Sequence, residues 1–174
     1  MKKIIIFTLL CVLSVNAKVL VSPFDAMQYT FGKEFVISKK NIVLTKEKAK
    51  LVQQMAQEKL ESKIVRIFQA KKADEVFGYG VLINKKVRSK NAAVLYMIDT
   101  AYTLKAIEII AFNEPEEYIP SKKWNSQFKD IATSSMLQTP KDIPTITGAT
   151  LSARSITNGS RVAFAIYNEI LREK

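Results

Sequence analysis

Histidine is absent from this 174-residue chain, and cysteine occurs once, at position 11. The first absence removes the commonest general base and the commonest nitrogen ligand for metals. The second leaves no partner for a disulfide and no thiolate set for an iron–sulfur cluster or a c-type haem. Any redox role would therefore need an organic cofactor. Glycine and proline number five each, too few for a linker-like or fibrous chain. Acidic residues are also scarce, 16 against 27 lysines and arginines, for a net charge of +11. What remains is globular in composition, with 48% hydrophobic and 25% charged residues.

The start of the chain reads as an export signal. Met1-Lys2-Lys3 is basic, and Ile4 to Val15 is apolar except for Thr8 and Ser14. Val15-Asn16-Ala17 then sets small residues where a signal peptidase reads. The apolar run falls short of the roughly 20 residues that span a bilayer, although retention as a single anchor is the alternative. Cys11 follows the bulky Leu9-Leu10, which argues against a lipoprotein site. Cleavage after Ala17 removes the one thiol, and loss of Lys2 and Lys3 takes the charge to +9. Outside the cytoplasm nucleic acid is an unexpected partner. Lipid headgroups, acidic proteins or an anionic cofactor suit the charge better.

The remaining pattern predicts an α+β fold: an antiparallel sheet with helices packed on it, N-terminal helices and a long C-terminal helix. Residues 1–17 are the signal peptide, 18–60 a helical extension and 61–174 the main domain. Ser22-Pro23 opens a short helix that Gly32 stops. Thr45 caps a second helix running to about Leu60. Strands are expected at Ile64–Phe68, Val76–Ile83, Val94–Ile98 and Leu104–Phe112. Gly78 and Gly80 mark a bulge or a close approach within a strand. A loop covers Asn113–Pro120, and Ser121 to Lys129 is amphipathic, with Trp124 and Phe128 on one face. Ser152 to Arg172 carries a helical stripe, with Ser152 as N-cap.

Thr147-Gly148-Ala149-Thr150 precedes that last helix. Gly148 permits a tight turn, Ala149 is small, and helix amides point back toward Thr150, where the dipole favours an anion. Arg154 can supply a bidentate cation there. Spacing alone fits an ordinary glycine turn into a capped helix better than an anion site.

The segment Ile143–Ser155 resembles the flavinylation motif, Ser/Thr-Gly-Ala-Thr/Ser, of the FMN-binding domain family. That family includes the C subunit of the sodium-translocating NADH:quinone reductase and the G subunit of the Rnf complex. The likeness continues through Gly78–Ile83, through Glu114-Pro115, and through Trp124 with Gln127-Phe128. It implies FMN joined by a phosphoester to Thr150, framed by Thr147, Gly148 and Ala149. It implies attachment by a flavin transferase that uses FAD, and an extracytoplasmic electron carrier with a redox partner in the envelope, periplasmic or on the outer face of the inner membrane. Tyr118, Trp124 and Phe128 are candidates to pack on the flavin ring, although Trp124 and Phe128 also suit a core. Glu114 is a candidate neighbour of a ring nitrogen. Two other readings stay open: a periplasmic binding or assembly module of the same fold without flavin, and a basic protein docking on anionic lipid.

Overall fold

The computed structural model describes residues 19–172; the expected signal peptide lies outside them. Helix α1 (Pro23–Phe31) starts where the Ser22 hydroxyl accepts a hydrogen bond from the Phe24 amide, and it ends at Gly32 with φ +122°. Helix α2 (Lys46–Ala56) starts the same way, with Thr45 accepting from the Lys48 amide. Each such cap typically contributes about 1 kcal/mol. Helix α2 stops short of the expected Leu60, because Gln57 turns into the left-handed region at φ +50°.

Strands β1 (Val36–Val43), β2 (Ile64–Lys72), β3 (Glu75–Lys86), β4 (Asn91–Asp99), β5 (Thr103–Phe112) and β6 (Ile131–Ala132) form one antiparallel sheet in sequential order. From β2 to β5 the order follows from short polar connections, which allow hairpins and no crossovers. The expected α+β fold is thus observed. The segment before residue 60 also supplies β1, which pairs with β2 over eight residues, Val36↔Lys71 through Val43↔Ile64. Lys39 and Lys40 on that edge strand are exposed, a common protection of an open sheet edge.

Both faces of the sheet are covered. Helix α1 lays Ala26 and Met27 on Phe68, Leu82, Leu95 and Met97. This packing explains Gly78 and Gly80: a Cβ at Gly78 would lie 2.2 Å from the Phe31 ring, and one at Gly80 2.6 Å from the Met27 sulfur. The expected bulge is present too. Ala70 pairs with Gly78 but Lys71 pairs with Val76, so Phe77 is the extra residue. On the opposite face, α2 and the long helix α4 (Thr150–Ile166) bury Val52, Ile156, Ala163 and Phe164 against Ile67, Val81 and Tyr96. The fully buried Tyr96 hydroxyl donates to the Ile156 carbonyl at 2.7 Å, fixing α4 on the sheet. Burial pushes its pKa up.

Glu58, beyond α2, ties the N-terminal segment to the rest. It pairs with Lys85 at 3.1 Å and Arg161 at 3.6 Å, and it accepts from Asn158 at 2.6 Å. Burial raises its pKa, but the Lys85 ammonium, the Lys59 amide and the Arg161 charge outweigh that and hold it below the usual value.

Candidate flavin site at the start of the last helix

The antiparallel order brings three segments to one end of the sheet: the β3–β4 hairpin, the exit of β5 at Phe112 and the N-terminus of α4. Between them lies a hollow of about 330 Å³, within the roughly 300–1,000 Å³ usual for small-molecule sites. Its walls are Val87, Arg88, Glu114, Tyr118 and residues 148–152.

The turn into α4 is built by Gly148. The Ala149 amide donates to the Ile146 carbonyl at 2.9 Å, and Gly148 has φ +81° at the third turn position, where a type II turn demands a positive angle. Nothing lies within 4 Å of a Cβ placed there, so backbone conformation and not crowding selects glycine. Ala149 is buried, while Thr147, Gly148 and Thr150 are exposed. The Thr150 hydroxyl makes one long contact, 3.4 Å to the Ile146 carbonyl. Among the described residues no carboxylate or amine bonds to it, so none of them serves Thr150 as a base.

The expected N-cap is corrected. Helix α4 begins at Thr150, and Ser152 lies inside its first turn at 1% exposure. A residue with helical backbone angles cannot take the extended cap conformation. The position before the helix is held by Ala149, and no side chain caps it. The first helical bond is from the Ala153 amide to the Ala149 carbonyl. The amides of Thr150, Leu151 and Ser152 therefore keep the anion-binding capacity that a serine cap would have consumed.

The other expected residues divide. Tyr118 and Glu114 line the hollow as anticipated. However, the Glu114 carboxylate is turned into the hairpin, where it accepts from the amides of Arg88 at 3.1 Å and Lys90 at 2.7 Å and from the amide and hydroxyl of Ser89. The Lys90 amide above all, with those of Ser89 and Arg88, holds its pKa below the usual value against the effect of burial. Glu114 thus shapes the hairpin through one carboxylate oxygen, while the other accepts only from the Ser89 hydroxyl at 3.2 Å. Trp124 and Phe128 stand away from the hollow, 7% and 0% exposed, with ring centroids 5.3 Å apart in the α4-side core. The Trp124 indole donates to the Pro144 carbonyl at 2.9 Å. Arg154 is exposed and lies outside the hollow's walls. The lining cation is Arg88, which no motif had singled out; the signal available was the basic run Lys85–Lys90 directly before β4.

This is an α+β domain with a hollow that gathers unpaired helix amides, a cation and an exposed threonine hydroxyl. Residues 89–165 match the family model of the FMN-binding domain. The match runs from the hairpin to the end of α4 and so contains Glu114 and the whole turn at Thr150. No curated protein matches the chain. Among the described residues no cluster of carboxylate or thiol groups could hold a metal ion.

Proposed function

We propose that the protein is an extracytoplasmic electron carrier with FMN attached to Thr150 through a phosphoester. The observation that carries this reading is the exposed Thr150 hydroxyl at the mouth of the hollow, on a helix terminus with three uncapped amides. A phosphodiester keeps one negative charge, which the helix terminus favours by about 0.3–1 kcal/mol at an exposed site. Arg88 adds a guanidinium, and Val87, Tyr118 and Leu151 give the apolar wall that an aromatic ring system needs. The bound flavin supplies the redox chemistry, and the protein supplies position and electrostatics.

Attachment requires an external flavin transferase, because none of the described residues serves Thr150 as a base. The step forms a bond from the Thr150 oxygen to phosphorus and breaks the FAD pyrophosphate. AMP leaves, and the hydroxyl proton goes to solvent or to the transferase. Covalent retention suits a compartment where lost FMN is not readily replaced, in keeping with the signal-like Met1–Ala17.

Co-expression with a flavin transferase, followed by denaturing electrophoresis and in-gel flavin fluorescence, tests the assignment. Wild type and Thr150→Ser should fluoresce, with the mass increment of FMN on the peptide containing residue 150. Thr150→Ala should be dark and folded by circular dichroism. A dark wild type beside an active transferase would return the domain to a binding module without flavin.

A further inference from the structure

We propose that the end of the domain bearing Thr150 is a docking surface for an anionic lipid bilayer. The inference rests on charge and exposed aliphatic groups at that end, and does not depend on flavin attachment.

Charge is unevenly divided along the sheet. The end that holds the hollow also carries the β1–α2 connection, the start of β2, the β3–β4 hairpin and the exit of β5. Lys46, Lys63, Lys86, Arg88, Lys90 and Arg154 are all exposed there, and none is in an ion pair among the described residues. Several acidic groups at this end are engaged. Glu58 is held by Lys85 and Arg161, Glu114 faces inward to the hairpin amides, and Glu61 accepts from the Lys86 amide. The exposed carboxylates there, Glu47, Glu61, Glu116 and Glu117, are still fewer than the six cations. At the opposite end the charges balance. Lys105 pairs with Asp99 and Asp130, and Lys71-Lys72 is followed by Asp74-Glu75.

The basic end also exposes aliphatic side chains. Val43 and Ile64 are cross-strand partners, 71% and 61% exposed, and Leu151 beside Thr150 is 44% exposed. Cations around projecting aliphatic groups fit a headgroup region, where lysine and arginine meet phosphate and a few apolar groups enter the acyl boundary.

A further aliphatic group favours lipid over an acidic protein. Val19 bridges Ala111 in antiparallel sense, and the Leu20 amide donates to the Ile110 carbonyl at 2.8 Å. Strand β5 runs toward the basic end, so Val19, 67% exposed, adds its side chain to the aliphatic groups there. A surface docked in this way holds the hollow beside the bilayer.

Sedimentation with vesicles tests the proposal, using the chain from Lys18 onward. It retains every residue of both cores, and its folding is checked by circular dichroism. At low salt it should bind vesicles of phosphatidylcholine mixed with phosphatidylglycerol, release as salt rises, and ignore pure phosphatidylcholine. Lys63→Glu/Lys86→Glu/Lys90→Glu should weaken binding on the order of a hundredfold. Lys71→Glu/Lys72→Glu/Lys129→Glu, with the same change in net charge at the other end, should leave it nearly unchanged. Ile64→Ser should weaken binding to mixed vesicles without altering the salt dependence. Equal loss in both triple variants would reduce the effect to net charge and overturn the proposal. Failure of wild type to bind mixed vesicles would also overturn it and leave the basic end to an acidic protein. Neither readout involves flavin, so the result is separate from the test at Thr150.

Discussion

The Trp124 indole and the Pro144 carbonyl are joined by a 2.9 Å hydrogen bond. Trp124 sits in the core on α3 (Lys122–Asn125), whose start is capped by the Ser121 hydroxyl. Pro144 lies on the polar segment leading to Thr147-Gly148-Ala149-Thr150. The bond therefore fixes the approach to the turn from a buried anchor, while Ile143 beside it is itself buried. Trp124 positions the site without touching it.

Trp124→Phe keeps an aromatic body and removes the indole donor. It should lower stability by about 1 kcal/mol through that bond, with some further loss from the smaller ring. Flavin attachment to Thr150 should slow yet still reach completion. Chemical denaturation and a time course of in-gel fluorescence read the two effects. Unchanged attachment kinetics would mean that the turn holds its shape without this bond.

Arg88 and Arg154 should separate in function. Arg88 lines the hollow and Arg154 does not. Arg88→Ala should slow attachment and raise the exposure of bound flavin to an anionic quencher such as iodide. Arg154→Ala should do less on both counts. The reverse ranking would restore the cation that sequence spacing had favoured.

Glu114→Gln should loosen the β3–β4 hairpin. The charged carboxylate accepts hairpin amides, and its pKa is depressed below the ordinary 4.5. A group with a depressed folded value contributes stability above its unfolded pKa and loses it as pH falls through the folded value. The gap in melting temperature between wild type and Glu114→Gln should thus be full near neutrality and close below about pH 4, near the ordinary carboxylate range. A gap independent of pH would assign the effect to hydrogen-bond geometry and not to charge.

Gly159 and Tyr96 should be coupled. A Cβ at Gly159 would lie 2.3 Å from the Tyr96 hydroxyl oxygen and 3.1 Å from the adjoining ring carbon. Gly159→Ala should gain about 1 kcal/mol of helix propensity, yet the clash in this closed core should reverse the sign, for a net loss of about 1–3 kcal/mol. Tyr96→Phe alone should cost about 1 kcal/mol through the bond to Ile156. The double variant should be more stable than the sum of the two losses implies, because removing the hydroxyl opens space for the new methyl. Additive losses would mean that α4 shifts as a whole.

Much of the fold was legible along the chain. Ser22 and Thr45 announced their helices because a cap is a local hydrogen bond between a side chain and an amide two or three residues on. The meander β2–β5 was legible because short polar turns leave adjacent strands no arrangement but antiparallel pairing. Strand β1 was harder to read. Its sequence, Val-Ile-Ser-Lys-Lys-Asn-Ile-Val, has two lysines at its centre and exposed ends, since an edge strand buries too little to impose a full alternating pattern.

At the site, the sequence by itself determined the turn and its hydroxyl. Gly148 needs a positive φ, Ala149 needs to be small, and Thr150 follows at the helix start; all of these are local properties. Tertiary structure decided the rest. Helix α4 begins two residues before the serine that looked like its cap, because the glycine turn delivers the chain into helical angles at Thr150 and packing draws Ser152 inward. Arg88 replaces Arg154 on the wall because the hairpin, about 60 residues upstream in sequence, folds over the helix terminus. Glu114 holds that hairpin in place, and Trp124 holds the approach to the turn, each through a bond to backbone 20 or more residues away. Such bonds depend on which chain segments the sheet order brings together, and no periodicity or motif within one segment encodes that meeting.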